Sequence, residues 1–295
     1  MLLIMNILFS MFACSSSLEE PVFKAAPEDF KRQISNGGLI ESVEYTTNGT
    51  NKTALVYLPY QYDANEKYEI LYLMHGAGGN NSTLLGNADR FTTLKYVIDN
   101  LIDRNLIKPL IIVTPTISGM NASEVFPNEL KNDLVPAVES KYSTYAENTS
   151  VEGLIKSRNH RSFGGFSMGS TTTWYVVLNN LNYFRNFMPV SGDCWAIERT
   201  GGVRRAKETA ELLANSVKEQ GYGANDFFIF AATGSEDIAH EGLTNQIREM
   251  KTLTDTFIYD FDKSKGNLFY LDVRGGLHDY EWFTDYLYVI LPNIF

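Results

Sequence analysis

The most informative part of the sequence is the pentapeptide Gly165-Phe166-Ser167-Met168-Gly169. A Gly-x-Ser-x-Gly motif arises by chance in many chains, but this one lies between a predicted strand, residues 161–166, and a predicted helix, residues 172–181. That position is typical of a nucleophile elbow, a tight turn that exposes a serine hydroxyl and tolerates no bulk two residues before or after it. The pattern therefore predicts a nucleophilic Ser167; the alternative is a glycine-rich loop with an incidental serine.

Short apolar runs alternate with helical periodicity on both sides of this motif. Residues 70–74 and 110–114 are nearly continuous apolar runs, typical of strands buried on both faces of a parallel sheet. The other predicted strands are residues 42–47, 53–59, 161–166, 187–190, 227–232 and 268–273. The predicted helices are residues 94–102, 126–142, 172–181, 204–220, 243–253 and 280–291. This alternation predicts an α/β fold with a mostly parallel, doubly wound sheet and helices on both faces. The first two strands, on either side of an Asn-Gly pair, are predicted to form a hairpin.

Composition limits the class of protein. The chain has 295 residues, of which 44% are hydrophobic and 20% charged, so a sizeable core is available. Its net charge of −10 and its few basic clusters argue against nucleic acid as a partner. Two cysteines are too few for a disulfide framework or a four-thiolate metal site. The chain shows no internal repeat and no Pro/Ser-rich linker, which favours one catalytic domain.

The N-terminal residues form a separate segment. Residues 1–18 carry no charge, and their apolar run resembles the core of a secretion signal. The following Ala13-Cys14 resembles a bacterial lipoprotein cleavage site. We therefore expect a leader over residues 1–18, an extension over 19–37 and the catalytic domain over 38–295. The protein is expected to be secreted, or held at the cell surface or in the periplasm by an outer-membrane lipid anchor on Cys14; the alternative is an apolar tail on a cytosolic protein.

A nucleophilic serine needs a general base, and in this kind of fold the base follows the acid in the chain. His278 lies in a glycine-rich loop between the last predicted strand and the last predicted helix, where it could reach back to Ser167. The other histidines fit this role less well. His75 precedes the serine and is better suited to shaping a loop, whereas His160 and His240 are expected to be structural or solvated.

The acid that orients the base should follow the strand at residues 227–232. Glu236 and Asp237 stand side by side there, and spacing does not separate them. Such a carboxylate would hold His278 in one tautomer and stabilise the imidazolium without taking its proton. Adjacent carboxylates at a helix entry are also often merely solvated.

An acyl-transfer site also needs hydrogen-bond donors for the oxyanion. The backbone N–H of Met168, directly after the nucleophile, is one candidate. The second donor should come from a loop after an early strand, and the glycine-rich residues 75–79 occupy that place, with the Ala77 amide favoured. A phosphate-binding loop is excluded because no Lys-Ser/Thr pair follows the glycines.

Five segments together resemble a known family. They are HGAGG at 75–79, GGFSMG at 164–169, SGDCW at 191–195, ATGSEDIA at 232–239 and GGLHDYEW at 275–282. In this order they resemble the feruloyl esterases of carbohydrate esterase family 1, especially those attached to xylanases of anaerobic plant-fibre-degrading bacteria. The resemblance extends from about Ser42 to the C-terminus and implies the α/β-hydrolase fold of esterase D-like enzymes.

The resemblance also implies roles for individual residues. Ser167 matches the nucleophile, His278 the base and Asp237, rather than Glu236, the acid. Ala77 and Met168 match the residues whose amides bind the oxyanion. Trp195 matches an aromatic side chain that packs on the phenolic ring of the substrate, although its residue type alone would place it in the core.

The function expected from these features is that of a serine esterase. It would hydrolyse feruloyl or other hydroxycinnamoyl esters on arabinoxylan or its oligosaccharides through an acyl-enzyme, without a metal or other cofactor. One alternative is an acetylxylan esterase on the same fold, with a preference for a small acyl group. Another is a catalytically silent, glycan-binding lipoprotein.

Overall fold

The computed structural model describes residues 20–119 and 121–295, which contain a sheet of eight strands. The strands are β1 (Leu39–Thr47), β2 (Thr50–Leu58), β3 (Glu69–Met74), β4 (Leu110–Thr114), β5 (Arg161–Phe166), β6 (Asn186–Val190), β7 (Phe228–Gly234) and β8 (Leu268–Val273). They are arranged in the order β1-β2-β4-β3-β5-β6-β7-β8. The pairs β1/β2 and β2/β4 are antiparallel, and the remaining pairs are parallel. The prediction of a mostly parallel sheet is confirmed.

Helices cover both faces of this sheet. They are α1 (Thr93–Asp103), α2 (Ala122–Glu129), α3 (Val135–Glu139), α4 (Val151–Lys156), α5 (Met168–Asn179), α6 (Gly201–Arg204), α7 (Ala206–Glu219), α8 (His240–Met250) and α9 (Tyr280–Ile294). The apolar sides of α1 and α9 pack in one cluster, and those of α2, α5, α7 and α8 pack in the other. Within the described residues, none of these helices is long and apolar enough to cross a membrane.

Two predicted helices differ from the observed ones. The helix expected over residues 126–142 is divided into α2 and α3 by a π-helical turn at Leu130–Leu134. Pro136, in the first turn of α3, has no backbone N–H to donate, and this break in the hydrogen-bond ladder coincides with the turn. The helix expected over 204–220 begins at Ala206, after the short α6.

The continuous apolar runs have a simple structural cause. All five residues of β4 are buried, and neighbours along the strand point to opposite faces. Ile111 packs into the cluster beneath α2 and α5, whereas Ile112 packs into the cluster beneath α1 and α9. A strand that is covered on both faces must be apolar at every position, and this is what the sequence of β4 shows.

The antiparallel edge begins with the predicted hairpin. Asn48 and Gly49, which connect β1 to β2, both have positive φ, at 49° and 75°. Two central residues with positive φ match the right-handed twist of the flanking strands, and Asn-Gly is the favoured pair for this turn. The turn sets the register in which Thr47 lies opposite Thr50.

The segment before β1 packs against α1 and α9. The ring of Phe23 stacks on Trp282 with a centroid separation of 5.6 Å, and the Ala26 N–H donates to the Asp285 carboxylate at 3.0 Å. Phe30 is buried in the same apolar cluster. The predicted leader, with Cys14, lies outside the described residues, so its boundaries stay predictions.

The parallel strands bring distant parts of the sequence to one edge of the sheet. Loops leave the carboxyl ends of β3, β5, β6, β7 and β8 on the same side, since parallel strands share a direction. These loops carry the residues that sequence analysis selected, from His75 to His278. Any site built from them must lie at this edge.

Candidate active site

Ser167 occupies the turn between β5 and α5. Its backbone has φ 56° and ψ −113°, a combination that costs energy for a residue with a side chain and is found mainly at functional sites. A Cβ at Gly165 would lie 2.6 Å from the Met74 carbonyl oxygen, and one at Gly169 would overlap that same oxygen. Both glycines are therefore required, because β3 passes directly beside the elbow.

The structure brings three predicted side chains into one hydrogen-bonded series. His278 Nε2 lies 2.9 Å from Ser167 Oγ, and His278 Nδ1 lies 2.7 Å from Asp237 Oδ1. Asp237 is buried after β7, whereas the neighbouring Glu236 is exposed and makes no hydrogen bond to the imidazole. The arrangement thus distinguishes the two carboxylates that spacing left equivalent.

The surroundings of Asp237 favour its ionised form. Burial alone would raise its pKa, but hydrogen bonds from His278 at 2.7 Å and from the Ala239 N–H at 2.7 Å outweigh burial and lower the pKa below the usual value. The ionised carboxylate accepts a hydrogen bond from the His278 Nδ1–H and so leaves the lone pair on Nε2 facing Ser167. This orientation suits the imidazole to act as a general base.

The two residues whose backbone N–H groups are the candidate oxyanion donors line the same cleft. Ala77 and Met168 line a space of about 450 Å³ together with Ser167 and His278. Met168 is the first residue of α5, so the positive end of the helix dipole also points there. Among the hydrogen bonds of the described residues, none is donated by either N–H. Both donors remain available for an oxyanion.

His75 shapes the loop that carries Ala77. Its imidazole is buried, its Nδ1 donates to the Gly76 carbonyl at 2.7 Å, and its Nε2 accepts from the Ile117 N–H at 3.3 Å. Burial lowers the pKa of His75, which favours the neutral ring that these two bonds require. The His75 side chain thus stabilises the loop that carries Ala77.

The other two histidines lie apart from Ser167. His160 Nδ1 is 2.7 Å from a Glu69 carboxylate oxygen, and its ring stacks on Tyr145 at 3.5 Å. His240 is the first residue of α8, and its Nε2 lies 3.0 Å from a carboxylate oxygen of Asp272 in β8. Both imidazoles therefore make structural contacts of the kind that the sequence led us to expect.

Trp195 forms part of the wall of a larger pocket beside the cleft. This pocket measures about 780 Å³ and shares Ala77, Met168 and Trp195 with the cleft. Trp195 is half-buried, and its indole N–H donates to the Asp193 carboxylate at 2.8 Å. The prediction from residue type alone, a core tryptophan, is not what the structure shows.

One face of α5 forms another wall of this pocket. Met168, Thr171 and Tyr175 all line it, and spacings of three and four residues put them on the same side of the helix. Burial raises the pKa of Tyr175 to about 12, so its hydroxyl is a neutral donor at ordinary pH. The pocket therefore has aromatic side chains, Tyr175 and Trp195, together with polar and charged ones, including Glu124 and Arg199.

Three residues of this region were not predicted from the sequence. Tyr175 could have been found by extending the helical spacing from Met168. Asp193, which accepts a hydrogen bond from the Trp195 indole, could have been suspected because it lies three residues after the end of β6. Tyr280, whose hydroxyl accepts the Gly76 N–H at 3.0 Å, gives no such signal in the sequence. Among residues 20–119 and 121–295, no cluster of His, Cys, Asp or Glu could hold a metal ion.

Known proteins share the sequence over most of its length. Residues 46–294 match the model of a family described as "Putative esterase". The chain is 41% identical over 274 residues to endo-1,4-beta-xylanase Y of Acetivibrio thermocellus, covering 92% of this chain and 24% of that protein. It is 29% identical over 261 residues to an endo-1,4-beta-xylanase/feruloyl esterase of Xylanibacter ruminicola, with coverages of 78% and 32%. The chain thus spans only 24–32% of the length of these relatives.

Solved structures agree with this sequence likeness. A mutant of the feruloyl esterase module of Clostridium thermocellum, in which a serine is replaced by alanine and which is complexed with sinapinate, has a TM-score of 0.86 and 41% identity. That match covers 95% of this chain and 96% of the module. A ferulic acid esterase of the anaerobic fungus Anaeromyces mucronatus, with 17% identity, a TM-score of 0.65 and coverages of 92% and 97%, shares the fold. The sheet order and its helices are those of the α/β-hydrolase fold.

Proposed function

The chain belongs to this esterase family, and from that premise we propose that it is a serine esterase that releases feruloyl or related hydroxycinnamoyl groups from arabinoxylan. One observation carries the proposal: the series Ser167–His278–Asp237, with separations of 2.9 and 2.7 Å, opens onto a pocket with aromatic walls. The names of the relatives, which include a feruloyl esterase module, support the choice of acyl group.

The first half of the reaction forms an acyl-enzyme. Ser167 Oγ attacks the ester carbonyl while His278 Nε2 takes the hydroxyl proton, and Asp237 stabilises the imidazolium. The carbonyl oxygen becomes an oxyanion that accepts hydrogen bonds from the N–H groups of Ala77 and Met168. When the tetrahedral intermediate collapses, the bond to the sugar oxygen breaks and His278 returns the proton to the leaving alcohol.

The second half releases the acid. Water enters the place of the sugar and gives a proton to His278 as its oxygen attacks the feruloyl carbonyl. A second tetrahedral intermediate forms over the same two N–H groups and collapses, expelling Ser167 Oγ, which recovers the proton from His278. The product is ferulate, and the enzyme returns to its starting state without any redox change.

The larger pocket is suited to an aromatic acyl group. A hydroxycinnamoyl chain is flat and conjugated, and it would lie along α5 from Met168 toward Tyr175, with its ring against Trp195. An aromatic contact of this kind contributes on the order of 1 kcal/mol beyond burial. The Asp193 carboxylate holds the indole in place, so little ordering of Trp195 is needed on binding.

The proposal is tested by the products released from de-starched wheat bran and by turnover of methyl ferulate against acetylated xylan. We expect ferulate from bran, fast hydrolysis of methyl ferulate and little release of acetate. Ser167→Ala, made and purified in parallel, should be inactive and should not react with a fluorophosphonate probe. Release of acetate without ferulate would favour the acetylxylan esterase, and an unlabelled, inactive wild type would favour the silent glycan-binding protein.

We also propose that the protein is exported, cleaved before Cys14 and held by a lipid on that residue, with residues 1–18 as the leader segment and 38–295 as the catalytic domain. The support is the uncharged apolar run followed by Ala13-Cys14. The protein expressed in a Gram-negative host should enter the detergent phase of a Triton X-114 partition, whereas Cys14→Ser should stay in the aqueous phase. Equal partition of the two proteins would rule out the anchor.

A further inference from the structure

Tyr280 connects the last helix to the loop that carries Ala77. It is the first residue of α9, two positions after His278, and its Oη accepts the Gly76 N–H at 3.0 Å. Gly76 directly precedes Ala77, and 204 positions separate the two hydrogen-bonded residues in the sequence. Tyr280 also lines the cleft that contains Ser167 and His278.

The Tyr280 ring rests on the nucleophile elbow. Its centroid is 4.9 Å from that of Phe166, the residue before Ser167. Phe166 in turn packs against the His278 imidazole at 4.7 Å and against Phe283 at 5.4 Å. These contacts fix the position of Oη relative to both Ser167 and His278.

Gly76 is held on both sides. The peptide before it donates its N–H to Tyr280, and the peptide after it offers its carbonyl to the His75 Nδ1–H at 2.7 Å. The second of these peptides carries the Ala77 N–H, which points away from the carbonyl because the peptide is planar and trans. Fixing both peptides removes the freedom that a glycine would otherwise have and sets the direction of the Ala77 N–H.

The close approach of Tyr280 and Phe166 also favours glycine at residue 76. A Cβ at this position would lie 3.1 Å from Tyr280 Oη and 3.2 Å from Phe166 Cδ1. A methyl group at residue 76 would therefore push these neighbours apart by a few tenths of an ångström. Such packing transmits a displacement of Tyr280 directly to the loop.

We propose that Tyr280 is a positioning residue whose hydroxyl, together with His75, holds Gly76 so that the Ala77 N–H points at the developing oxyanion. The proposal rests on the proposed function in one respect, namely that Ser167 is the nucleophile and Ala77 an oxyanion donor. It does not depend on which acyl group is cleaved.

The test is Tyr280→Phe, which removes the hydrogen-bond acceptor and keeps the ring on Phe166. We expect kcat for methyl ferulate to fall by about 10- to 100-fold, with KM within about twofold, since a misdirected oxyanion donor weakens the transition state more than the bound substrate. The matched control is Tyr286→Phe on the same helix, because the Tyr286 hydroxyl is buried without a hydrogen-bond partner among the described residues. Its kcat should equal that of the wild type.

Inhibition provides a readout that a merely structural role would not change. An arylboronic acid forms a tetrahedral adduct with the serine, so its Ki should rise in Tyr280→Phe by about the same factor by which kcat falls. Inhibition by the product ferulate should be unchanged. A kcat within twofold of the wild type, or a raised KM at constant kcat, would overturn the proposal.

Two further measurements keep the test decisive. Gly76→Ala perturbs the same contact from the loop side and should also lower kcat at constant KM; wild-type kcat in this variant would count against the proposal even if Tyr280→Phe failed to fold. p-Nitrophenyl acetate, assayed in parallel, should show the same loss of kcat. If the wild type cleaves this ester but not methyl ferulate, the proposed preference for feruloyl esters is wrong. The role of Tyr280 can then still be tested with p-nitrophenyl acetate.

Discussion

The neighbouring carboxylates Glu236 and Asp237 show how a single residue acquires a role. Asp237 is buried, and its Oδ1 accepts hydrogen bonds from His278 at 2.7 Å and from the Ala239 N–H at 2.7 Å. Glu236 is exposed. The two side chains have the same charge, so the difference arises from the direction in which the backbone points each of them after β7.

Substitution of the two carboxylates should therefore have different effects. Asp237→Asn should lower kcat for methyl ferulate by about 10⁴-fold, because an amide does not hold His278 in the required tautomer. Glu236→Gln is the matched control and should retain wild-type kcat. Steady-state kinetics at neutral pH checks both variants, and a loss of activity confined to Glu236→Gln would reverse the assignment.

The lowered pKa of Asp237 also predicts a pH dependence of stability. The folded state binds the Asp237 proton less readily than the unfolded state, so ionisation stabilises the fold above the ordinary carboxyl pKa of about 3.9. This contribution is lost as pH falls through the folded-state pKa. The free energy of unfolding of the wild type minus that of Asp237→Asn should decrease between pH 5 and pH 3 in urea titrations. A constant or growing difference would contradict the sign.

Among the structural elements, the junction of β5 and α5 tolerates the least change. The helix begins directly after Ser167, and Gly169 in its first turn packs against the Met74 carbonyl of β3. An added methyl group would displace backbone, which is costlier than displacing the end of a side chain. The nucleophile is therefore held by the contact between two strands and a helix.

Gly169→Ala tests this element. The variant should lose about 3 kcal/mol of unfolding free energy or more, at the upper end of the range for overpacking, and most of its activity. Gly223→Ala is the control, since its Cβ would meet nothing closer than 3.8 Å, and it should change stability by less than about 0.5 kcal/mol. Chemical denaturation measures both; equal stability of the two variants would show that the junction can relax.

Elements with strong periodicity were predictable from sequence, and irregular ones were not. The apolar runs of β3 and β4 and the spacing in α1 need only local information. The six residues of α4 span too few turns for a periodic signal. The π-helical turn at Leu130–Leu134 depends on hydrogen bonding that composition does not reveal.

The site shows the same division. Ser167 and His278 could be selected because a motif and a glycine-rich loop mark them. Which of Glu236 and Asp237 orients the base depends on burial. The Tyr280 hydroxyl accepts a hydrogen bond from Gly76, which is 204 positions away in the sequence. Contacts between such distant residues are set by the whole fold, so no local sequence pattern predicts them.

At the scale of the whole molecule, a buried ion pair joins several parts of the chain. Arg161, the first residue of β5, forms a bidentate salt bridge with Glu139. Its Nε lies 2.6 Å from Glu139 Oε1 and its Nη2 lies 2.9 Å from Oε2, and both side chains are almost fully buried. Glu139 also accepts hydrogen bonds from the Tyr72 and Thr144 hydroxyls. The pair lies at the end of β5 away from Ser167, so it supports the fold and not the chemistry.

Glu139→Gln should therefore separate stability from catalysis. Leaving Arg161 buried without its counter-charge should cost about 3–5 kcal/mol of unfolding free energy. The exposed pair Glu152–Lys156 provides the control, because Glu152→Gln should cost less than about 0.5 kcal/mol. Below its melting temperature, Glu139→Gln should keep a kcat close to the wild-type value. A large drop in kcat of the folded variant would show that the pair reaches the site.

The segment before β1 extends the folded unit beyond the sheet. The bond from the Ala26 N–H to Asp285 joins residues 259 positions apart, and Arg104 contacts Asp29 at 2.7 Å. These contacts hold the segment before β1 against α9 and the end of α1. Sequence alone could not predict them, because the segment has neither helical nor strand periodicity.

We propose that Ser167, His278 and Asp237 act as one unit, and double-variant kinetics shows whether their contributions to kcat are independent. We predict that Ser167→Ala and His278→Ala each lower kcat for methyl ferulate by about 10⁵-fold or more, and that the double variant is no slower than Ser167→Ala alone. Single-turnover assays at high enzyme concentration measure these rates. A kcat of His278→Ala within tenfold of the wild-type value, or losses of kcat that multiply in the double variant, would show that the side chains do not act as a unit.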